Sequence, residues 1–268
     1  MTSTDAVLLS ITDQIATITL NRPDRMNALD QSMIEGLGTA LDRIEADIAN
    51  IGAIIIEGSG GTFMAGGDVK FFYELSQNPA EESRPLIETM INRVHDIIIR
   101  LTALPRPVIA KLEGAVAGFG ISLMNACDLA VAAEETVFTL AYIHIGTSPD
   151  GGSTHSLPRL VGMKKAKEIA FLGDRFTATD AHECGLINKV VPADQLASAT
   201  AKYAARLAAG PRDALARTKA LLNTAPENDL AKQLAHEATA FADCAGSHDF
   251  REGVSAFVEK RSPQFGKS

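Results

Sequence analysis

Apolar positions in this chain follow two alternating rhythms. Residues 7–11 and 15–20 are short β-rich runs with Asp13-Gln14 between them, the pattern of a β-hairpin. Asn21-Arg22-Pro23-Asp24 breaks the second run. Asp30 then stands where it can cap a helix whose apolar positions are Met33, Leu37, Leu41 and Ile44. Residues 53–57 form a continuous apolar strand, which Gly58-Ser59-Gly60-Gly61 stops. Residues 68–75 read as helix, and Asn78-Pro79 opens a polar loop. The spacing predicts a second long helix over 85–104, ending before Pro105 and Pro107. Buried strands are expected over 108–112 and 129–132. After Pro149 the chain turns Ala-rich and helical, most clearly over 196–207, 213–222, 229–245 and 249–260. Strands therefore alternate with helices to about residue 140, and helices dominate afterwards. No sequence repeat with a period of roughly 20–50 residues is visible.

Composition narrows the choices. A length of 268 residues falls between one average domain and two. The formal charge of −8 argues against a nucleic-acid protein, whose footprint is usually a basic field, but leaves room for a phosphorylated small molecule. Cys127, Cys184 and Cys244 form no C-x-x-C motif, so reduced cysteines in a cytoplasmic protein are expected. The first residues lack the basic and apolar stretches of a signal peptide, and no apolar run is long enough to span a membrane. His144, His155, His182, His236 and His248 show no metal-ligand spacing, so no metal is expected.

Two segments share one design: buried strand, Gly-rich turn, helix start. They are 54–68 and 108–120. Glycine lets backbone approach a ligand, and a helix N-terminus offers unpaired N–H groups to an oxyanion or phosphate. Neither turn is a nucleotide motif. From Gly58 the third glycine of G-x-G-x-x-G would fall on Phe63, and a P-loop lysine would fall on Gly67. The plainer reading is two tight turns.

Four ordered segments then carry a resemblance. They are Leu20-Asn-Arg-Pro-Asp-Arg-Met-Asn-Ala-Leu29, Thr62-Phe-Met-Ala-Gly-Gly-Asp-Val-Lys70, Pro105-Arg-Pro-Val-Ile-Ala-Lys-Leu-Glu-Gly-Ala-Val-Ala-Gly118 and Glu252-Gly-Val-Ser-Ala-Phe-Val-Glu-Lys-Arg261. The chain resembles the crotonase, or enoyl-CoA hydratase/isomerase, family. The resemblance implies an α/β fold: a spiral of ββα repeats over 1–195, with a C-terminal helical trimerisation region over 196–268 in the same structural unit. It implies a homotrimer or a hexamer, an acyl-CoA thioester substrate and no prosthetic group. It puts two backbone oxyanion donors at Gly67 and Phe119. It runs CoA along Arg25, Met26, Ala28, Ala65, Gly66, Asp68 and Lys70, with Phe257 and Lys260 approaching the adenine end, sometimes across a subunit boundary. Outside that context Arg25 and Lys70 read as solvated surface charges.

The family shares an oxyanion hole but not a reaction, so acid/base residues must decide. Where its hydratases carry two glutamates this chain has Ser122 and Tyr142, poor substitutes for activating water near neutral pH. Asp150, in Ile145-Gly-Thr-Ser-Pro-Asp-Gly-Gly-Ser153, resembles the carboxylate of bacterial acyl-CoA isomerases, including those acting on phenylacetyl-CoA-derived rings. An isomerase needs one base that returns its proton elsewhere. The structural alternative for Asp150 is capping a helix that starts near Ser153. His95 and Asp150 also fall on functional positions of 4-chlorobenzoyl-CoA dehalogenase, which leaves a dehalogenase-like or thioesterase-like hydrolase as a second reading. The plainer role of His95 is packing or solvent contact on an amphipathic helix. A CoA- or RNA-binding family member without strong catalysis is a third reading. Phe71, Phe72, Phe119, Ser122 and Tyr142 are candidate linings of an acyl pocket.

Overall fold

A computed structural model describes residues 5–266. The chain opens with the antiparallel hairpin β1 (Val7–Thr12) and β2 (Ile15–Leu20), with Asp13 and Gln14 both at positive φ between them. Helix α1 (Gln31–Ala46) follows, and the Asp30 carboxylate accepts from the Met33 amide as its N-cap. Next come β3 (Ala53–Gly58), α2 (Val69–Ser76) and α3 (Ala80–Ala103).

Two strand–strand–helix units come after them. The first is β4 (Val108–Leu112), β5 (Ala115–Ala117) and α4 (Phe119–Asn125). The second is β6 (Leu129–Ala133), β7 (Val137–Thr139) and α5 (Ser153–Leu172), the last kinked at Gly162. Then β8 (Phe176–Thr177), α6 (Ala178–Glu183), β9 (Lys189–Val191) and α7 (Ala193–Ala208) lead to α8 (Arg212–Thr224), α9 (Leu230–Ala245) and α10 (His248–Glu259).

The strands sort into two sheets, ordered β1-β2-β3-β4-β6-β9 and β5-β7-β8. From β2 to β9 the larger sheet is parallel. Each unit gives its first strand to the large sheet and its second to the small one. The unit that begins with β3 does the same in reduced form, because Met64 makes a lone parallel bridge to Val116. This is the spiral of ββα repeats, and its parallel strands place the turns that follow β3, β4 and β6 at the same end of the large sheet.

Both faces of the large sheet are covered, which is why its strands read as unbroken apolar runs. Ile54, Ile56, Val108, Ala110 and Leu112 belong to the core shared with α1 and α3. Ala53, Ile109, Val131 and Ala133 instead pack with Leu196, Ala199, Ala204 and Ala208 of α7. Beyond α7, α9 and α10 keep large apolar side chains in solvent, including Leu230, Phe241, Phe257 and Val258. Among the described residues, no helix is long and apolar enough to cross a membrane.

Three expectations change. The second long helix starts at Ala80 rather than at residue 85, with Pro79 at its N-cap and Pro85 inside it. A proline this near the start removes only one intrahelical N–H bond, and Glu81 and Glu82 in the first turn favour the positive helix end. Strands do not stop near residue 140, since β8 and β9 follow. Asp150 does not cap α5, whose N-cap is Gly152 with no side-chain bond.

Candidate active site

The turns after β3 and β4 face each other because backbone pairs them. The Met64 amide donates to the Ala115 carbonyl and the Ala117 amide to the Met64 carbonyl, at 3.0 and 2.8 Å. Gly118 lies at φ +49°, ψ −119°, with its Cβ direction only 3.4 Å from the Gly66 Cα. An L-side chain there meets both backbone strain and a facing backbone. Two amides at this junction, Gly67 and Phe119, have no protein acceptor among the described residues. Phe119 is the first residue of α4, so its N–H has no intrahelical partner. The Phe72 ring, edge-on to Phe71, packs against Gly67, while Phe71 itself is exposed.

The segment from Arg25 to Leu29 runs alongside this turn. The Ala65 amide donates to Met26, the Leu29 amide to Gly66 and the Asp68 amide to Leu29. Arg25, Met26 and Ala28 therefore lie side by side with Ala65, Gly66, Asp68 and Lys70, Gly66 being buried beneath them. Arg25, Met26 and Lys70 are exposed. Asp68 is already occupied: its carboxylate caps α2 by accepting from the Lys70 amide, and it faces Arg22 at 3.9 Å.

Sequence reasoning passed over Asn27 and Arg22. Asn27 is fully buried, and its side chain donates to the Ser59 and Thr62 carbonyls and accepts from the Arg22 amide. The Arg22 guanidinium donates to the Ala28 carbonyl and pairs with Asp30 at 2.9 Å. Their signal is a polar pair between Leu20 and Leu29, with Asn tolerant of the left-handed backbone it adopts at φ +55°.

Opposite Phe119, the loop from Pro149 to Gly152 is pinned to α4. Ser122 is buried, and its hydroxyl donates to the Asp150 carbonyl at 2.8 Å and contacts the Ser153 hydroxyl. A Cβ on Gly151, at φ +60°, would lie 2.7 Å from the Ser122 Cβ and 2.8 Å from the Phe119 ring. The Gly151 amide donates to His95 Nε2 at 3.3 Å, so His95 of α3 reaches this loop as an acceptor. The Tyr142 hydroxyl donates to Asp150 Oδ1. Burial, and then the adjacent Asp150 carboxylate, push the Tyr142 phenol well above its ordinary range. Gly67, Phe119, Ser122, Tyr142, Asp150 and His95 thus come together around two junctions.

Phe257 and Lys260 do not join them. Phe257 lines a cavity of about 700 Å³ with Ala49, Arg106 and Arg212. Ala49 and Arg106 precede β3 and β4, whereas the paired turns follow those strands. The six residues of β3 separate the two ends by about 20 Å. Lys260 is the C-cap of α10, the same helix that carries Phe257.

A family model described as enoyl-CoA hydratase/isomerase matches residues 10–268. The chain is 36% identical over 259 residues to the 1,2-epoxyphenylacetyl-CoA isomerase of Escherichia coli K12, covering 97% of each. It is 33% identical over 260 residues to the crotonyl-CoA hydratase of Syntrophomonas wolfei, again covering 97% of each. A crystal structure of an enoyl-CoA hydratase from Polaromonas sp. JS666 superposes with a TM-score of 0.90 at 35% identity, covering 97% of this chain and 99% of that one.

Proposed function

The chain belongs to the enoyl-CoA hydratase/isomerase, or crotonase, family, and from that premise we propose that it is an acyl-CoA isomerase that moves a double bond through a thioester enolate. The Asp150 carboxylate takes a proton from the carbon next to the thioester. The electron pair moves onto the carbonyl oxygen, where the Gly67 and Phe119 amides receive the charge. Protonated Asp150 then returns the proton two carbons further along, and the double bond ends conjugated with the thioester. Preorganised donors of this kind contribute roughly 3–4 kcal/mol each. CoA lies along the Arg25–Leu29 and Ala65–Lys70 surface, with Arg25 and Lys70 offsetting its phosphates in an otherwise acidic, cytoplasmic protein. No prosthetic group takes part.

One observation carries the preference for isomerisation. Ser122 and Tyr142 are both bound to Asp150, one at its backbone and one at its carboxylate. Ser122 and Tyr142 thus add no carboxylate beside Asp150, where hydration needs a group for water and another for the proton. The test is to supply 3-enoyl- and 2-enoyl-CoA separately. Conjugated 2-enoyl-CoA is expected to accumulate from the first and to persist in the second. Rapid hydration of the second rejects the reading.

A hydrolytic reading rests on the contact between His95 and the Gly151 amide, which brings an imidazole to the Asp150 loop. His95→Gln retains an acceptor for that amide. Isomerase turnover is expected to stay within about threefold, whereas a hydrolase using His95 as general base loses about 10²–10⁴-fold. Measured CoA release alongside double-bond migration separates the two.

The exposed apolar faces of α9 and α10 support a homotrimer, alone or paired as a hexamer. In that assembly Phe257 and Lys260 reach the CoA of a neighbouring subunit.

A further inference from the structure

Two side chains around Asp150 have no part in moving the proton, yet they are arranged about it with unusual economy. Tyr142 opens a short 3-10 turn, and its ring packs against the core. Its hydroxyl meets Asp150 Oδ1. The Ser122 hydroxyl donates to the carbonyl of the same residue, Asp150. Ser122 in turn contacts Ser153, and both serines are buried. Tyr142 therefore holds one oxygen of the carboxylate, while Ser122 and Ser153 hold the backbone carbonyl of Asp150. Asp150 Oδ2 has no protein partner among the described residues.

The direction of each bond matters. A phenol held far above its ordinary range stays protonated near neutral pH, so Tyr142 is a donor throughout and never a base. A donor to a carboxylate favours the ionised form. It also fixes the plane of the carboxylate, so the unpaired oxygen keeps one orientation. We propose that Tyr142 is a positioning residue for Asp150: its hydroxyl holds one carboxylate oxygen and leaves the other for the acyl group, while Ser122 and Ser153 hold the Asp150 carbonyl. The inference rests on Asp150 being the base, and it deepens that reading. On it, Ser122 and Tyr142 are not vestiges of a lost pair of acids. They are the support that lets one carboxylate work alone.

The test uses the full-length enzyme with a 3-enoyl-CoA, together with the ¹³C titration of the Asp150 side-chain carbon, identified by its absence in Asp150→Asn. Tyr142→Phe keeps the ring and removes the donor. Its kcat is expected to fall about tenfold with little change in KM. The acid limb of kcat/KM and the carbon titration should both move up by about one pH unit, as loss of a hydrogen bond to the charged form requires. Ser122→Ala frees the Asp150 carbonyl, so it should lower kcat by less and leave both titrations in place; it carries the test if Tyr142→Phe does not fold, and a wild-type kcat there overturns the inference. A limb and a carbon titration that stay at their wild-type positions in Tyr142→Phe overturn the inference, because a merely structural tyrosine moves neither. If the carbon titration shifts while Asp150→Asn retains turnover, the positioning role stands and the base assignment falls.

Discussion

Asp150→Asn is expected to lower double-bond migration by about 10²–10⁴-fold, the usual worth of a positioned general base. The substitution suits the geometry. Asparagine retains an oxygen to accept from Tyr142 and leaves the Asp150 carbonyl, which Ser122 holds, in place. Gly151 still packs against Phe119. Binding should therefore survive, so the loss belongs in kcat rather than KM. Turnover of a 3-enoyl-CoA near pH 8, with a thermal melt alongside, is the measurement. An Asn variant that melts like the wild type and works within about threefold of it rejects Asp150 as the base.

The second large effect is expected at Gly118, which has no functional group at all. Gly118→Ala should cost about 10²–10³-fold in kcat, comparable to removing one oxyanion donor. The ψ angle of residue 118 sets the plane of the peptide that carries the Phe119 N–H. At φ +49° and ψ −119° that plane is one an alanine resists. The added methyl would itself sit 3.4 Å from the Gly66 Cα, an ordinary contact, so the backbone angle carries the effect. Relief by rotation turns the Phe119 amide away. The strain itself is about 1–3 kcal/mol. That is small against the 5–15 kcal/mol stability of a typical domain, so the variant should fold and fail. Circular dichroism with heating, alongside kcat, checks both halves. A folded Gly118→Ala enzyme with near-wild-type kcat removes Phe119 from the oxyanion hole.

The elements that could be read from sequence are those whose own residues decide them. The hairpin turn at Asp13-Gln14, the Asp30 cap of α1, and the unbroken apolar runs of β3, β4 and β6 are local signals. The small sheet is not local. β5 is three residues inside a Gly-rich turn, and β7 is three residues long. Only pairing with each other, at Val116 and Phe138 for example, makes them strands. The repeat was hidden for the same reason, since its periodicity lies in which sheet each strand joins. At the site, the paired turns could be located because glycine and a helix start are visible together. Support residues were harder. Nothing in the order of residues 142–150 announces that Tyr142 turns back onto Asp150, since an irregular loop has no periodicity. Asn27 shows the same limit: its three partners are carbonyls and an amide, which carry no sequence identity.

The two amides without a protein acceptor among the described residues are main-chain groups, while the proposed base is a side chain on a separate loop. That division lets the two halves of the chemistry change at different rates. A substitution at position 119 alters a side chain but leaves the N–H, so drift there does not erase the donor, whereas the backbone of Gly118 must be kept. One codon at position 150, or at the two supporting positions, can redirect what happens to the enolate. The fold thus offers a stable half-reaction to which new endings can be attached one at a time.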